Sequence, residues 1–261
     1  MNTSMTAATS DPRVDWDYTA HASHYDKRAD YSAAAIDELL TTIGCTPSKP
    51  VADIGAGTGK FTKELLKRGL SINAVEPNEA MREIGMGNTH GGSVTWLIGT
   101  GEATGLADGS VYAAFFGSSF NVVDQRLALA EVARILMPRG WFACMWNHRD
   151  LQDPVQQHIE AIIRAHIPDY SYGSRREDPS GVIEASDRFS AVRSIERRFL
   201  WEMPRADIIV AWKSHATLKR QAGSETVFDG IIVEISRYLE LASATLAVPY
   251  ATRIYYAQLI N

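Results

Sequence analysis

Ten residues constrain this chain more than any other stretch: Val51-Ala52-Asp53-Ile54-Gly55-Ala56-Gly57-Thr58-Gly59-Lys60. The short apolar run 51–54 reads as a strand buried on both faces. Glycines at 55, 57 and 59 follow, and residues 61–68 carry apolar side chains at helical spacing. Such a strand, turn and helix set backbone N–H groups beside a helix N-terminus at a strand's carboxyl end, where ligands are taken. Glycine suits the turn because it accepts positive φ and lets a ligand press against the backbone.

The bulk properties narrow the ligand. At 261 residues, 45% hydrophobic and 22% charged, the chain has the make-up of a globular domain able to carry an insertion. A net charge of −5 gives no general attraction to phosphate backbones, so a small molecule is expected and nucleic acid is not. No apolar run approaches the roughly 20 residues of a membrane span, which predicts no membrane partner. Residues 1–11 are polar and alanine-rich without a basic start, so no secretion signal is read and a cytoplasmic protein is expected. Cys45 and Cys144 lie far apart and form no metal-ligand cluster. Oligomeric state is left open.

Along the chain, an aromatic and charged segment at 16–31 precedes a Ser32-capped helix ending near Gly44. Strands are expected at 51–54, 71–75, 94–98, 111–116 and 141–146. Helices are expected at 61–68, 79–84 and 125–136, with a glycine-rich loop at 84–93. This alternation predicts a parallel sheet with right-handed crossovers. Beyond Trp146 the pattern predicts a helix at 155–163 and a polar stretch at 169–181 that could act as a lid. A sixth strand at 192–199, helices at 205–220 and 226–241, and a last strand at 252–260 complete the reading.

Spacing separates three ligands for the glycine turn. A Walker loop needs four residues between its first glycine and Gly-Lys; here three lie between Gly55 and Gly59, and Phe61 takes the hydroxyl slot. The dinucleotide fingerprint Gly-x-Gly-x-x-Gly is replaced by Gly-x-Gly-x-Gly, so the ligand need not carry a pyrophosphate. Glu76 stands 21 positions after Gly55 at the end of the second strand, placed like an acid that binds ribose hydroxyls. An adenosine-containing ligand follows.

Four motifs in order then carry a resemblance: Asp53-x-Gly55-x-Gly57-x-Gly59; Glu76-Pro77-Asn78-x-x-Met81; Gly99-Thr100-Gly101-Glu102-Ala103; and Leu106-x-Asp108-Gly109-Ser110. Together they resemble the class I S-adenosylmethionine-dependent methyltransferases. The likeness covers about residues 16–147 and implies a Rossmann-like, seven-stranded, mostly parallel α/β sheet with helices on both faces, an N-terminal helical segment and a cap or lid insertion. It divides the chain into a tail at 1–15, a helical cover at 16–46, a cofactor-binding core at 47–150, a cap at 151–190 and the rest of the core at 191–261. By the same likeness S-adenosylmethionine is the cofactor, with Asp53, Gly55, Ala56, Gly57, Gly59 and Ser118 along its methionine and ribose parts. Glu76 would hold the ribose, Pro77 and Met81 would flank the adenine, and Thr100, Gly101 and Glu102 would meet its edge. Tyr25-Asp26-x-Arg28-x-x-Tyr31 resembles the N-terminal segment of trans-aconitate methyltransferases, which places Tyr25 and Arg28 near the cofactor carboxylate. That subgroup's Phe-His-Trp-Phe-Asp is here Phe120-Asn121-Val122-Val123-Asp124, and Thr100 stands where an Asp commonly meets adenine.

Methyl transfer from a sulfonium asks chiefly for alignment and exclusion of water. Asn147 and His148, at the end of the fifth strand, are candidates to fix an acceptor and to take a proton. Tyr170 and Tyr172, with Arg175 and Arg176, are candidates to close over it. The expected activity is methyl transfer to a small-metabolite nucleophile. The alternatives are intramolecular cyclisation of the cofactor, as in methyltransferase-like azetidine-2-carboxylate synthases, and a non-catalytic sensor.

Overall fold

The computed structural model describes residues 28–172 and 176–260. The expected tail, Tyr25 and Arg175 lie outside the described residues. The N-terminal half alternates as the sequence predicts: α1 (Ala33–Thr42), β1 (Val51–Ile54), α2 (Lys60–Leu66), β2 (Ile72–Val75), α3 (Glu79–Asn88), β3 (Val94–Leu97), β4 (Val111–Gly117), α4 (Gln125–Ile135) and β5 (Leu136–Arg149). The C-terminal half contains α5 (Pro154–His166), α6 (Ser180–Glu184), β6 (Arg193–Pro204), α7 (Arg205–Lys213), α8 (Ala216–Ala222), α9 (Glu225–Glu240) and β7 (Thr245–Gln258).

Seven strands form one sheet in the order β3-β2-β1-β4-β5-β7-β6, parallel except where β7 runs antiparallel to β5 and β6. Because order reverses on either side of β1 and β4, their carboxyl ends flank a crevice that the crossovers leave open. One sheet face packs Ile54, Phe116, Phe142 and Cys144 under α4, the other packs Val51, Phe115 and Met145 under α1 and α2. A third cluster lies apart: Ile159 and Ile163 of α5 pack with Ile208 and Trp212 of α7, Leu218 of α8 and Ile231 of α9, against Tyr250 of β7. Side-chain caps fix where the helices start: Ser32 accepts from Ala35 N, Asn78 from Met81 N and Asp124 from Arg126 and Leu127 N. Among the described residues no helix is long and apolar enough to cross a membrane.

Several elements depart from the sequence reading, among them β6, which runs on from the expected end at Phe199 to Pro204, and the short α6. The helix expected to stop at Ile84 continues to Asn88 through Gly85 and Gly87, because Gly85 is needed for contact rather than for a turn. A Cβ there would fall 2.2 Å from the Trp96 ring. The single helix expected at 205–220 is broken at Ser214 and His215, whose Nδ1 accepts from Leu218 N and caps α8. The last strand starts at Thr245, seven residues before the expected Thr252, with Pro249 inside its pairing with β6. Proline normally disqualifies a strand interior, which hid this one. The fifth strand likewise starts at Leu136, where a register shift carries it across the turn containing Arg139 at φ 60°.

Gly85→Ala tests the α3 contact. The new methyl must displace the Trp96 ring and its 3.0 Å bond to Thr89 Oγ1. We expect a loss of about 1–3 kcal/mol in urea unfolding, against less than about 0.5 kcal/mol for Gly87→Ala, which meets open space.

Candidate active site

The turn after β1 is held from two sides. Gly55, Gly57 and Gly59 have φ of 69°, 58° and 77°. A Cβ on Gly55 would lie 2.6 Å from Ser119 Cβ, so positive φ and close approach both demand glycine there. Gly55 N and Ala56 N donate to the Val75 carbonyl at 2.8 and 3.0 Å. From the end of β2, Glu76 Oε2 accepts from Gly57 N and Oε1 from Asn78 N, both at 2.8 Å. Burial raises the Glu76 pKa, and these two bonds and Arg82 oppose the rise. Met81 lies under Gly57.

Beneath the turn, Asp53 is fully buried. Its Oδ2 accepts from Thr62 Oγ1 at 2.6 Å, while Oδ1 has no hydrogen-bond partner among the described residues. Burial pushes its pKa up to about 7, with the Glu76 charge adding and the Thr62 bonds opposing. An orphaned buried acceptor under a glycine turn fits a cationic amine such as that of an amino-acid-bearing cofactor.

A cavity of ≈ 180 Å³ opens over Asp53 and the turn. It brings together Arg28, Asp53, Gly55, Ala56, Gly57, Ser118, Asn147, His148 and Tyr172 of the expected site residues. Gly59 serves instead as the left-handed N-cap of α2, and Tyr170 sits in the third cluster with its ring 5.3 Å from Tyr172. Glu76, Pro77, Met81, Thr100, Gly101 and Glu102 stand outside this cavity, following β2 and β3. There Thr100 Oγ1 accepts from Glu102 and Ala103 N, and Glu102 Oε1 accepts from Asp124 N at 2.7 Å.

Asn147 does a different job from the one expected. Its Nδ2 donates to the Ala29 and Asp30 carbonyls at 3.1 and 2.9 Å, and its Oδ1 accepts from Thr252 Oγ1 at 2.6 Å. Both amide donors are used, so Asn147 pins the N-terminal segment rather than an acceptor. Thr252 Oγ1 also accepts from Ser32 N, and Lys60 pairs with Asp30 at 2.7 Å. Ser118 holds φ 63° and bonds Tyr31 Oη through Oγ at 2.8 Å, a strained residue at the cavity wall. His148 is buried and faces the same space.

Tyr31, the last residue of the N-terminal motif, joins the cavity, while sequence reasoning missed Phe61, His215 and Tyr250 as cavity residues. Those beyond the glycine turn come from segments far apart in sequence, and no local pattern announces them. Arg149 and Arg176 also line the cavity. The Arg149 guanidinium lies 4.1 Å over Trp212, and that of Arg176 4.5 Å over Tyr172.

Asp53 makes stability depend on pH. The folded carboxyl keeps its proton up to about pH 7, whereas an unfolded one releases it near pH 4. Its contribution to stability therefore falls as pH rises from about 4 to 7. Asp53→Asn, neutral throughout, should gain about 2–3 kcal/mol relative to the wild type between pH 5 and pH 8, in urea melts at the two pH values. A gain that does not grow with pH would mean Asp53 is ionised in the fold.

Comparison with known proteins agrees with this geometry. Residues 52–144 match the model of a methyltransferase domain family. An uncharacterized methyltransferase of Mycobacterium tuberculosis is 38% identical over 123 residues, 47% of this chain and 48% of that protein. A ubiquinone/menaquinone biosynthesis C-methyltransferase of Caulobacter vibrioides is 27% identical over 166 residues, 56% of this chain and 65% of that protein. The chain thus spans about half the length of the first of these relatives. The fold is shared with the YcgJ protein of Bacillus subtilis (TM-score 0.53, 16% identity, 88% of this chain and 100% of that one). It is shared also with an S-adenosylmethionine-dependent methyltransferase of Thermotoga maritima (TM-score 0.52, 18% identity, 93% and 98%). Residues 52–144, with their glycine turn and buried Asp53, are thus similar to a methyltransferase domain, and the seven-stranded sheet they belong to is the fold seen in those solved structures.

Proposed function

We propose that the protein transfers a methyl group from S-adenosylmethionine to a nucleophilic atom of a small molecule. The observation that carries this reading is the orphaned, fully buried Asp53 Oδ1 under a glycine turn whose cavity continues beneath the helical cap. When bound, S-adenosylmethionine supplies an electrophilic methyl carbon on a sulfonium. Asp53 would face its amino group, and the backbone of Gly55 to Gly57 would run alongside. Glu76 keeps lone pairs beyond the two it gives to Gly57 and Asn78, and would take ribose hydroxyls. Pro77, Met81 and the Thr100 to Glu102 turn would border the adenine.

On the acceptor side, His148 would take the proton released as the nucleophile reacts. Tyr31, Phe61 and Trp146 close the cavity with apolar surface and keep water from the reacting atoms. Intramolecular cyclisation requires no acceptor room, so the extension of the cavity to Tyr172, Arg176 and His215 favours a two-substrate reaction.

Incubation with S-adenosylmethionine and an acceptor panel, followed by product analysis, should yield S-adenosylhomocysteine only when an acceptor is present. Methylthioadenosine from the cofactor alone would replace methyl transfer by cyclisation. For the ribose assignment, Glu76→Ala should weaken S-adenosylmethionine binding by about 1–3 kcal/mol in calorimetry. Unchanged affinity would remove Glu76 from the site.

A further inference from the structure

On the cap side of the cavity stand two guanidiniums with no ion-pair partner among the described residues. Arg149 ends β5 with its guanidinium on Trp212 and its Nε donating to Tyr250 Oη at 3.3 Å. Arg176 lies on Tyr172 and donates to the Arg149 carbonyl at 2.9 Å, which brings the two side chains to one wall. Two nearby carboxylates form their ion pairs elsewhere, Asp150 with Arg198 at 3.5 Å and Glu160 with Arg164 at 2.9 Å, although the Glu160 charge still reaches Arg176. Among the described residues neither Arg149 nor Arg176 has an ion-pair partner.

Behind this wall two more donors lack acceptors. Tyr170 Oη and Trp212 Nε1 are buried with no hydrogen-bond partner among the described residues. Tyr170 lies within electrostatic reach of both arginines. Burial also lowers the Arg176 pKa, which marks the guanidinium as partly desolvated. Desolvated cations that stack on aromatic faces and keep free N–H groups are matched by a planar oxyanion, which accepts two parallel hydrogen bonds from a guanidinium fork. A neutral acceptor would leave the charges uncompensated, and a cationic one would add repulsion.

From this wall we infer that the methyl acceptor is a carboxylate on a flat aromatic or conjugated body, its carboxylate held by Arg149 and Arg176 and its body against Tyr172 and Tyr250. The inference rests on the methyl-transfer reading and adds the acceptor's chemistry to it.

Protein saturated with S-adenosylhomocysteine, with that binding measured first by calorimetry, is titrated with benzoate, benzamide and benzylamine. Benzoate should bind at least about tenfold more tightly than the neutral or the cationic probe. Arg149→Gln and Arg176→Gln should each reduce benzoate affinity by about tenfold, Arg176→Lys should restore part of it, and S-adenosylhomocysteine affinity should change by less than about threefold. Thermal unfolding checks each variant's fold, and Arg176→Lys keeps the test open should a glutamine variant not fold. Equal binding of the three probes overturns the inference while leaving methyl transfer standing. Arginine variants that lose S-adenosylhomocysteine instead also overturn it, since the guanidiniums would then serve the cofactor carboxylate. Wild-type protein that fails to bind S-adenosylhomocysteine at all refutes the methyl-transfer reading, and the inference with it.

Discussion

A carboxyl group buried completely in β1, with one oxygen bonded and the other without a partner among the described residues, is the constraint around which the site is arranged. Asp53 needs Thr62 from α2 to satisfy Oδ2, so the helix after the turn must start close to the strand. That closeness compresses the turn into five residues with three at positive φ, which only glycine tolerates throughout. The compressed turn in turn exposes Gly57 N, and the next strand answers it with Glu76. Two acids are thereby kept close in a region of low polarity, the Glu76 charge adding to the cost of ionising Asp53. An arriving cation relieves that cost, which is why this turn suits a ligand carrying a positive charge.

The fold was legible where sequence and structure speak over short distances. Strands β1, β2 and β4 are short, mostly apolar runs, and helices α1, α3 and α4 begin at side-chain caps that a reader can see, Ser32, Asn78 and Asp124. Legibility failed where a residue serves tertiary contact against its local habit. Gly85 reads as a breaker but clears space for Trp96, and Pro249 reads as a stop but sits in a paired strand. His215 reads as helix interior, yet its ring accepts a backbone hydrogen bond and starts a new helix.

The site divides along the same line. The glycine turn, Glu76 and the Thr100 to Glu102 segment are each short local motifs in a fixed order along the chain, so their pattern and spacing bring them forward. Asn147 could be singled out by its position at the end of β5, but its task could not be read: its partners Ala29, Asp30 and Thr252 lie more than one hundred residues away. It joins the entering segment to β7, so the cavity's roof and its wall are fastened at a single amide. Loosening that amide would loosen both.

This division also explains why kinship tells more about the cofactor than about the acceptor. The family match covers residues 52–144, and within it fall Asp53, the glycine turn, Phe61 and Ser118. Much of the rest of the lining falls outside it: Arg28 and Tyr31 before, then the run from Trp146 to Arg149, and Tyr172, Arg176, His215 and Tyr250 after. The two parts meet across β4 and β5, where the parallel core gives way to the antiparallel strands that carry the cap. The matched core holds Asp53 and its turn, and the cap contributes its cavity lining without contacts, among the described residues, that hold that turn in place. A carboxylate-binding wall built from Arg149 and Arg176 is lining of that kind: both guanidiniums rest on aromatic rings outside the matched core, and neither needs a residue of the glycine turn to hold it in place.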